Sequence, residues 1–253
     1  MRIAGIDLEV HDQGRGEPLL FLHSAQGFDP RHEISTLLAA RRRLIAPSHP
    51  GFGRSSLPDW LDVPDDIAYV YLELLDELKL QSIDVVGCSI GGWIAAEMAT
   101  KAPERIRRLV MVGAVGVKTG PVDRLDIPDI FAMPQDKVDE LLFADPAKMK
   151  MDPSKMTDEE IAIRVRNRET LALISWEPWM HNPKLRHRLQ RAKMPALFMR
   201  GEKDGLVSAE YMERYARLLP RGQTVTIRGA GHAPQIEQPK AFADALFSFL
   251  ESK

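Results

Sequence analysis

The sequence lacks most features that mark secreted, membrane and nucleic-acid-binding proteins. Its 253 residues include one cysteine, Cys88, so no intrachain disulfide can form, which suits a reducing compartment. Lysine and arginine total 34 against 36 acidic residues, so no basic excess favours nucleic acid or anionic membranes. The longest apolar run, residues 109–117, contains two glycines and is far shorter than the ~20 residues of a membrane helix. Asp7 and Glu9 interrupt the N-terminus before a signal-peptide core develops. We therefore expect a soluble, cytoplasmic protein with neither nucleic-acid partners nor membrane insertion.

What the chain does have is an alternation of short apolar runs and helical patterns. The apolar runs predict strands at residues 19–22, 83–87, 109–112, 196–199 and 224–227. Between them, apolar residues recur three and four apart, and prolines at helix-start positions predict helices that begin at Pro64 and Pro239. This alternation predicts an α/β protein with a mostly parallel central sheet and helices on both faces.

The alternation stops between residues 118 and 193. This stretch shows no strand pattern, but it has several helix starts, including a capping box formed by Thr157 and Glu160. A helical insertion between two core strands predicts a cap above the carboxyl ends of the strands, where such sheets bind ligands. The chain is therefore divided into a first core part (residues 1–118), an inserted helical cap (residues 119–191) and a second core part (residues 192–253).

A candidate nucleophile lies in the motif G-x-S-x-G. Residues 87–91 read GCSIG, with Ser89 at the centre, after one predicted strand and before a helical pattern. In that strand–turn–helix context a tight turn lifts the serine hydroxyl clear of the sheet, and the flanking glycines remove side chains that would clash. The N-terminus of the following helix favours negative charge nearby. We interpret Ser89 as a nucleophile and its neighbour Cys88 as a small packing residue.

A serine nucleophile needs a base to take its proton and an acid to orient that base. Asp204 follows the strand predicted at residues 196–199, and His232 follows the strand predicted at residues 224–227. Both therefore lie where strands end, at the same edge of the sheet as Ser89. This order of serine, acid and histidine along the chain is the one expected for such an architecture. Ser89, Asp204 and His232 are predicted to form a catalytic triad, with Glu202 as a second acid candidate.

With these residues in place, the chain resembles the α/β-hydrolase family nearly end to end. Residues 22–27 (LHSAQG) resemble the family's H-G-x-x-G loop, with Ser24 where the family usually has glycine. Residues 50–55 (PGFGRS) resemble its G-x-G-x-S loop, with Ser48 where an aspartate commonly precedes. The resemblance implies an oxyanion hole formed by the backbone N–H groups of Ile90 and Ala25.

The triad and the resemblance together predict a cofactor-independent serine hydrolase that cleaves a carboxylic ester through an acyl-enzyme on Ser89. No cofactor fingerprint or metal-ligand spacing is found: residues 32–36 (HEIST) have threonine where a zinc-binding helix needs its second histidine. The substrate is predicted to be a small molecule with an apolar portion, because the insertion supplies large apolar side chains, namely Phe131, Met133, Phe143, Trp176 and Trp179. Ser24, Trp176 and Trp179 are candidate substrate contacts; alternatively, both indoles pack the insertion on itself.

Two other functions stay open. A carbon–carbon bond hydrolase that acts on ring-cleavage (dienone) products would have the same triad and a similar cap. Those enzymes commonly carry tryptophan directly after the catalytic histidine, where this chain has Ala233. The third hypothesis is a non-catalytic, ligand-binding member of the fold, although all three triad positions are filled here.

Overall fold

A mostly parallel sheet of seven strands lies at the centre of the molecule. The computed structural model describes residues 1–149 and 152–252. Their strands are β1 (Arg2–Ile3), β2 (Ile6–Asp7), β3 (Val10–Gln13), β4 (Pro18–Leu22), β5 (Arg43–Pro47), β6 (Ile83–Cys88), β7 (Ile106–Val112), β8 (Ala196–Gly201) and β9 (Gly222–Ile227). The sheet order is β3-β5-β4-β6-β7-β8-β9, and β1 pairs with β2 apart from it. Only β3 runs antiparallel to its neighbour in this described sheet.

Helices cover both faces of this sheet. They are α1 (Glu33–Ala39), α2 (Pro64–Glu77), α3 (Ile90–Lys101), α4 (Gln135–Leu142), α5 (Pro146–Met149), α6 (Asp158–Ser175), α7 (Leu185–Arg188), α8 (Ala209–Ala216), α9 (Pro234–Glu237) and α10 (Pro239–Leu250). Helices α2, α3 and α8 contribute buried apolar residues to the core on one face, and α1 and α10 do so on the other. The predicted α/β architecture is therefore confirmed. No helix in the described part of the chain is long and apolar enough to cross a membrane.

Local sequence signals explain where several helices begin. Pro64 occupies the first turn of α2, and Asp65 and Asp66 lie beside its N-terminal dipole. Helix α6 begins with the predicted capping box, in which Thr157 and Glu160 each accept a hydrogen bond from the other's backbone N–H. The helix predicted to start at residue 239 is α10, which buries an apolar face against the sheet. These predicted starts are confirmed.

The insertion between β7 and β8 adds no strand to the sheet within its described residues, and its helices are α4 to α7. An isolated bridge pairs Gly116 with His181 and so brings residue 181 of the insertion back to the loop after β7. Helix α6 is docked on the loop after β5, where Thr170 donates a hydrogen bond to the Gly51 carbonyl at 2.9 Å and Asn167 accepts one from the Gly53 N–H at 2.9 Å. The domain boundaries at residues 118/119 and 191/192 stay predictions.

Candidate active site

Ser89 lies in a sharp turn between β6 and α3. Its φ of 53° and ψ of −113° are unusual for a residue with a side chain, and this strain is characteristic of functional turns. The turn is held by a hydrogen bond of 2.8 Å from the Ser89 N–H to the Val112 carbonyl. Gly91 is required because a Cβ there would collide with the carbonyl oxygens of Leu22 and His23 at the end of β4. The sequence thus folds locally so that the serine stands at the carboxyl edge of the sheet.

Asp204 and His232 meet at this edge, each in the loop after its strand. Nδ1 of His232 lies 2.9 Å from Oδ2 of Asp204, and both side chains are buried. The second carboxylate oxygen of Asp204 accepts the N–H groups of Leu206 and Val207, each at 2.9 Å. A carboxylate in this position accepts a hydrogen bond from the Nδ1–H of His232. The neutral imidazole therefore has its lone pair on Nε2.

His232 and Ser89 line the same cavity, a cleft of about 550 Å³ that is partly open to solvent. Nε2 of His232 is buried and has no hydrogen-bond partner among the described residues. A general base needs such an unoccupied lone pair within reach of the proton that it abstracts, and the catalytic hydrogen bond often forms only with substrate present. Ser89 and His232 make no hydrogen bond to each other in the described structure; what they share is the cavity.

The second acid candidate lies elsewhere. Glu202 accepts a hydrogen bond from the Gly229 N–H at 3.0 Å and makes no hydrogen bond to the His232 ring. The structure thus brings Asp204, and not Glu202, to the imidazole. Cys88, next to the nucleophile, is buried, and this burial raises the pKa of its thiol. Since a thiol attacks as its thiolate, the structure favours packing for Cys88.

The loops that carry Asp204 and His232 are both fixed to the end of α4. The His232 N–H donates to the Leu142 carbonyl at 2.6 Å, and the Gly205 N–H donates to the Leu141 carbonyl at 2.9 Å. These bonds order the two loops relative to each other and attach them to the insertion.

Both predicted oxyanion-hole residues, Ile90 and Ala25, also line the cavity. Neither backbone N–H donates a hydrogen bond to another described residue. Ser24, the candidate substrate contact in the loop after β4, lines the cavity as well and does not adopt the positive φ that would require glycine. Gly27 does so, with φ 89°, and closes the turn through a 3.0 Å hydrogen bond to the Ser24 carbonyl.

The remaining wall of the cavity is almost entirely apolar. The insertion contributes five of its side chains, which are Ile130, Leu142, Phe143, Leu171 and Met180. Within the described residues, no lysine, arginine, aspartate or glutamate side chain lines the cavity. Of the wall residues from the insertion, sequence reasoning had named Phe143 alone, because the others are spread over segments whose meeting point has no local signal.

Trp176 and Trp179, the candidate substrate contacts from the insertion, lie outside this cavity and stay predictions. Neither indole lines the cavity; they pack edge to face on each other, with ring centroids 5.9 Å apart, and both pack on Phe131. Trp176 ends α6 with 56% of its surface exposed. Trp179 donates its Nε1–H to the Ile127 carbonyl at 2.9 Å. The structure therefore favours the alternative expectation, that both indoles pack the insertion on itself.

Comparisons with known proteins agree with this fold. A model of the alpha/beta hydrolase family matches residues 19–245. The chain is 29% identical to a 2-hydroxymuconate semialdehyde hydrolase of Pseudomonas sp. (strain CF600), over 98% of this chain and 91% of the relative. It is 28% identical to Lipase 1 of Psychrobacter immobilis, over 94% and 79% of the two chains. Among solved structures, a meta-cleavage product hydrolase (CumD) superposes with a TM-score of 0.78 at 22% identity, over 99% and 96% of the chains.

Proposed function

The chain belongs to the alpha/beta hydrolase family, and from this premise we propose that it is a cofactor-independent serine hydrolase that cleaves a neutral carboxylic ester with an apolar portion. One observation carries the proposal: the His232 of a buried Asp204–His232 pair lines the same cavity as Ser89, and its Nε2 has no hydrogen-bond partner among the described residues. This is the arrangement that makes a serine hydroxyl nucleophilic.

In the proposed mechanism, Oγ of Ser89 attacks the ester carbonyl while Nε2 of His232 takes its proton. Asp204 holds the Nδ1–H and stabilises the imidazolium that forms. The oxyanion of the tetrahedral intermediate accepts hydrogen bonds from the backbone N–H groups of Ile90 and Ala25. Removal of one such donor typically raises the activation free energy by ~2.7–4 kcal/mol. His232 then gives the proton to the leaving alcohol, and water activated by the same nitrogen hydrolyses the acyl-enzyme on Ser89.

The charge of the cavity wall supports a neutral substrate. A carboxylate that enters an apolar, water-excluding site loses its hydration, and it needs a cation or several hydrogen-bond donors in return. The described wall supplies no lysine or arginine, and its polar side chains are Ser24, Gln26, Ser89 and His232. We propose that the insertion, residues 119–191, is the cap that encloses the apolar portion of the ester.

The second candidate is hydrolysis of a carbon–carbon bond in a ring-cleavage product. It is favoured by the similarity over 98% of the chain to a protein named 2-hydroxymuconate semialdehyde hydrolase. The same triad would serve either reaction. Ala233, directly after the histidine, lines the cavity here. Carbon–carbon bond hydrolases of this kind commonly have a tryptophan at that position, so the alanine argues against this candidate.

A covalent inhibitor tests the proposed nucleophile. A fluorophosphonate is expected to add to Oγ of Ser89, because His232 activates this hydroxyl and the oxyanion donors face the phosphoryl oxygen. The adduct is located by fragment-ion mass spectrometry of the tryptic peptide at residues 80–101, which also contains Ser82 and Cys88. The Cys88→Ser variant is the matched control and should label at Ser89 like the wild type. Labelling at Cys88, or no labelling of the folded protein, would contradict the proposal.

A further inference from the structure

Three buried polar side chains lie behind the loop that contains Ser24 and Ala25, outside the cavity wall. They are His23 after β4, His49 after β5 and Tyr71 in α2, and each is at most 1% exposed. The two imidazoles stack with ring centroids 3.8 Å apart. Buried groups of this kind are costly unless all their hydrogen bonds are made, so their partners show what the cluster holds in place.

The hydrogen bonds fix the position of every proton in this cluster. The His49 backbone N–H can only donate, and it lies 2.9 Å from Nε2 of His23, so this nitrogen is the acceptor. The proton of neutral His23 is then on Nδ1, which donates to the Ser24 carbonyl at 2.6 Å. The His23 carbonyl can only accept, and it lies 2.8 Å from Nε2 of His49, so that nitrogen carries the proton of His49. The Tyr71 hydroxyl therefore donates to the remaining nitrogen, Nδ1 of His49.

Burial keeps all three groups in this neutral state. It lowers the pKa of His23 to about 4 and lowers the pKa of His49 well below its usual value. It also raises the pKa of the Tyr71 hydroxyl well above its usual value. A single directed chain thus runs from Tyr71 through His49 and His23 to the carbonyl of Ser24.

The end of this chain determines where a neighbouring N–H points. The Ser24–Ala25 peptide bond is trans, since the described residues contain a cis bond only at Glu177-Pro178, and in a trans peptide the C=O and the next N–H point in opposite directions. The Ser24 carbonyl accepts hydrogen bonds from His23 Nδ1–H at 2.6 Å and from the Gly27 N–H at 3.0 Å, and His23 itself does not line the cavity. The N–H of Ala25 therefore points away from His23; Ala25 lines the cavity, and its N–H has no partner among the described residues.

The same cluster is also attached to the turn that holds the nucleophile. The His23 carbonyl accepts His49 Nε2–H and lies against Gly91, one residue after Ile90, where no Cβ could fit. The two backbone donors that line the cavity, one from each loop, are thus held at a fixed separation by one packed unit.

We propose that Tyr71, His49 and His23 are positioning residues for the oxyanion hole, because their hydrogen-bonded chain, together with the Gly27 N–H, holds the Ser24 carbonyl and so sets the direction of the Ala25 N–H; this rests on the proposed function. The chain touches no reacting atom. Its contribution is to direct a donor at the site where negative charge develops, so that the donor need not reorient during the reaction.

The test compares two buried tyrosines. Tyr71→Phe removes the hydroxyl that donates to His49, whereas Tyr215→Phe removes a buried hydroxyl that has no hydrogen-bond partner in the described structure. Loss of an entire oxyanion donor costs ~10²–10³ in kcat. A donor that is only misdirected should cost less, so we expect Tyr71→Phe to lower kcat for a nitrophenyl ester roughly tenfold. KM should stay within about twofold, and Tyr215→Phe should change neither constant.

Nitrogen-15 NMR of the same proteins provides a measurement that does not depend on turnover. We expect wild-type His23 to be protonated on Nδ1 and His49 on Nε2, and we expect Tyr71→Phe, but not Tyr215→Phe, to shift the Ala25 amide resonance. Either opposite tautomer in the wild type, or an unmoved Ala25 amide in Tyr71→Phe, would overturn the proposal, as would equal kcat values for the two variants. Absence of ester hydrolysis in the wild type would refute the proposed function, while the Ala25 resonance would still decide the role of the chain.

Discussion

Replacement of Ser89 by alanine is expected to lower kcat for a short-chain nitrophenyl ester by a factor on the order of 10⁵–10⁶. The attacking oxygen is lost, and the other serine of the cavity, Ser24, lies in the loop after β4 and not in the strained turn after β6. The residual rate comes from the backbone donors and from substrate binding, which typically leave ~10³–10⁴ over the uncatalysed reaction. The measurement is steady-state turnover together with a thermal melt, because the variant must be shown to fold.

Folding of Ser89→Ala should be close to normal. Alanine at this position meets the same φ of 53°, so the strain of the turn is unchanged. The matched control is Cys88→Ser, one residue earlier in a fully buried position, which should retain most of its turnover. Near-normal activity of a folded Ser89→Ala variant would remove the serine mechanism, and an inactive Cys88→Ser variant beside it would point to the thiol.

Replacement of Asp204 by asparagine is expected to reduce kcat by about 10⁴. The two backbone N–H groups of Leu206 and Val207 donate to Oδ1, so they would select the amide oxygen of the new side chain on that side. The amide NH₂ would then face Nδ1 of His232, 2.9 Å away in the native pair. A donor at that position forces the imidazole into the tautomer with its proton on Nε2, which cannot accept the serine proton.

The matched control for this change is Glu202→Gln, two residues earlier in the same loop. Its amide oxygen still accepts the Gly229 N–H, so the loop is preserved and turnover should stay within about threefold of the wild type. Both variants are compared by kcat/KM on the same ester. A larger loss for Glu202→Gln than for Asp204→Asn would transfer the acid role to Glu202.

The strands and the site differ in how far sequence can predict them. All five predicted strands are present. Four are mostly buried apolar runs, and the fifth, β9, is a largely exposed edge strand that its alternation of polar and apolar residues predicted. Two strands of the sheet were not predicted. β3 reads VHDQ and is only partly buried, since it lies at the sheet edge and depends on antiparallel pairing with β5. β5 begins with arginine and ends with proline, so its short apolar middle gives little signal.

The proposed triad could be predicted because each member follows a strand, and strand ends in a parallel sheet share one edge. The cavity wall could not be predicted from the sequence, because Ile130, Leu171 and Met180 come from separate segments of the insertion and meet only in the folded protein. The size of Trp176 and Trp179 did not indicate where they lie: they pack on each other and on Phe131, and Trp176 stays 56% exposed.

The bond that this protein cleaves is tested most directly by one measurement: kcat/KM for neutral acetate, butyrate and octanoate nitrophenyl esters beside a dienone carboxylate ring-cleavage product, on the same preparation. We expect kcat/KM for at least one ester to exceed kcat/KM for the dienone by roughly 100-fold or more. The reason is that burial of the dienone carboxylate without a partner costs about 3–5 kcal/mol, and the described wall supplies no cation. Ser89→Ala should abolish the ester reaction. Rapid turnover of the dienone with negligible hydrolysis of all three esters would contradict ester cleavage and establish the carbon–carbon bond as the substrate bond.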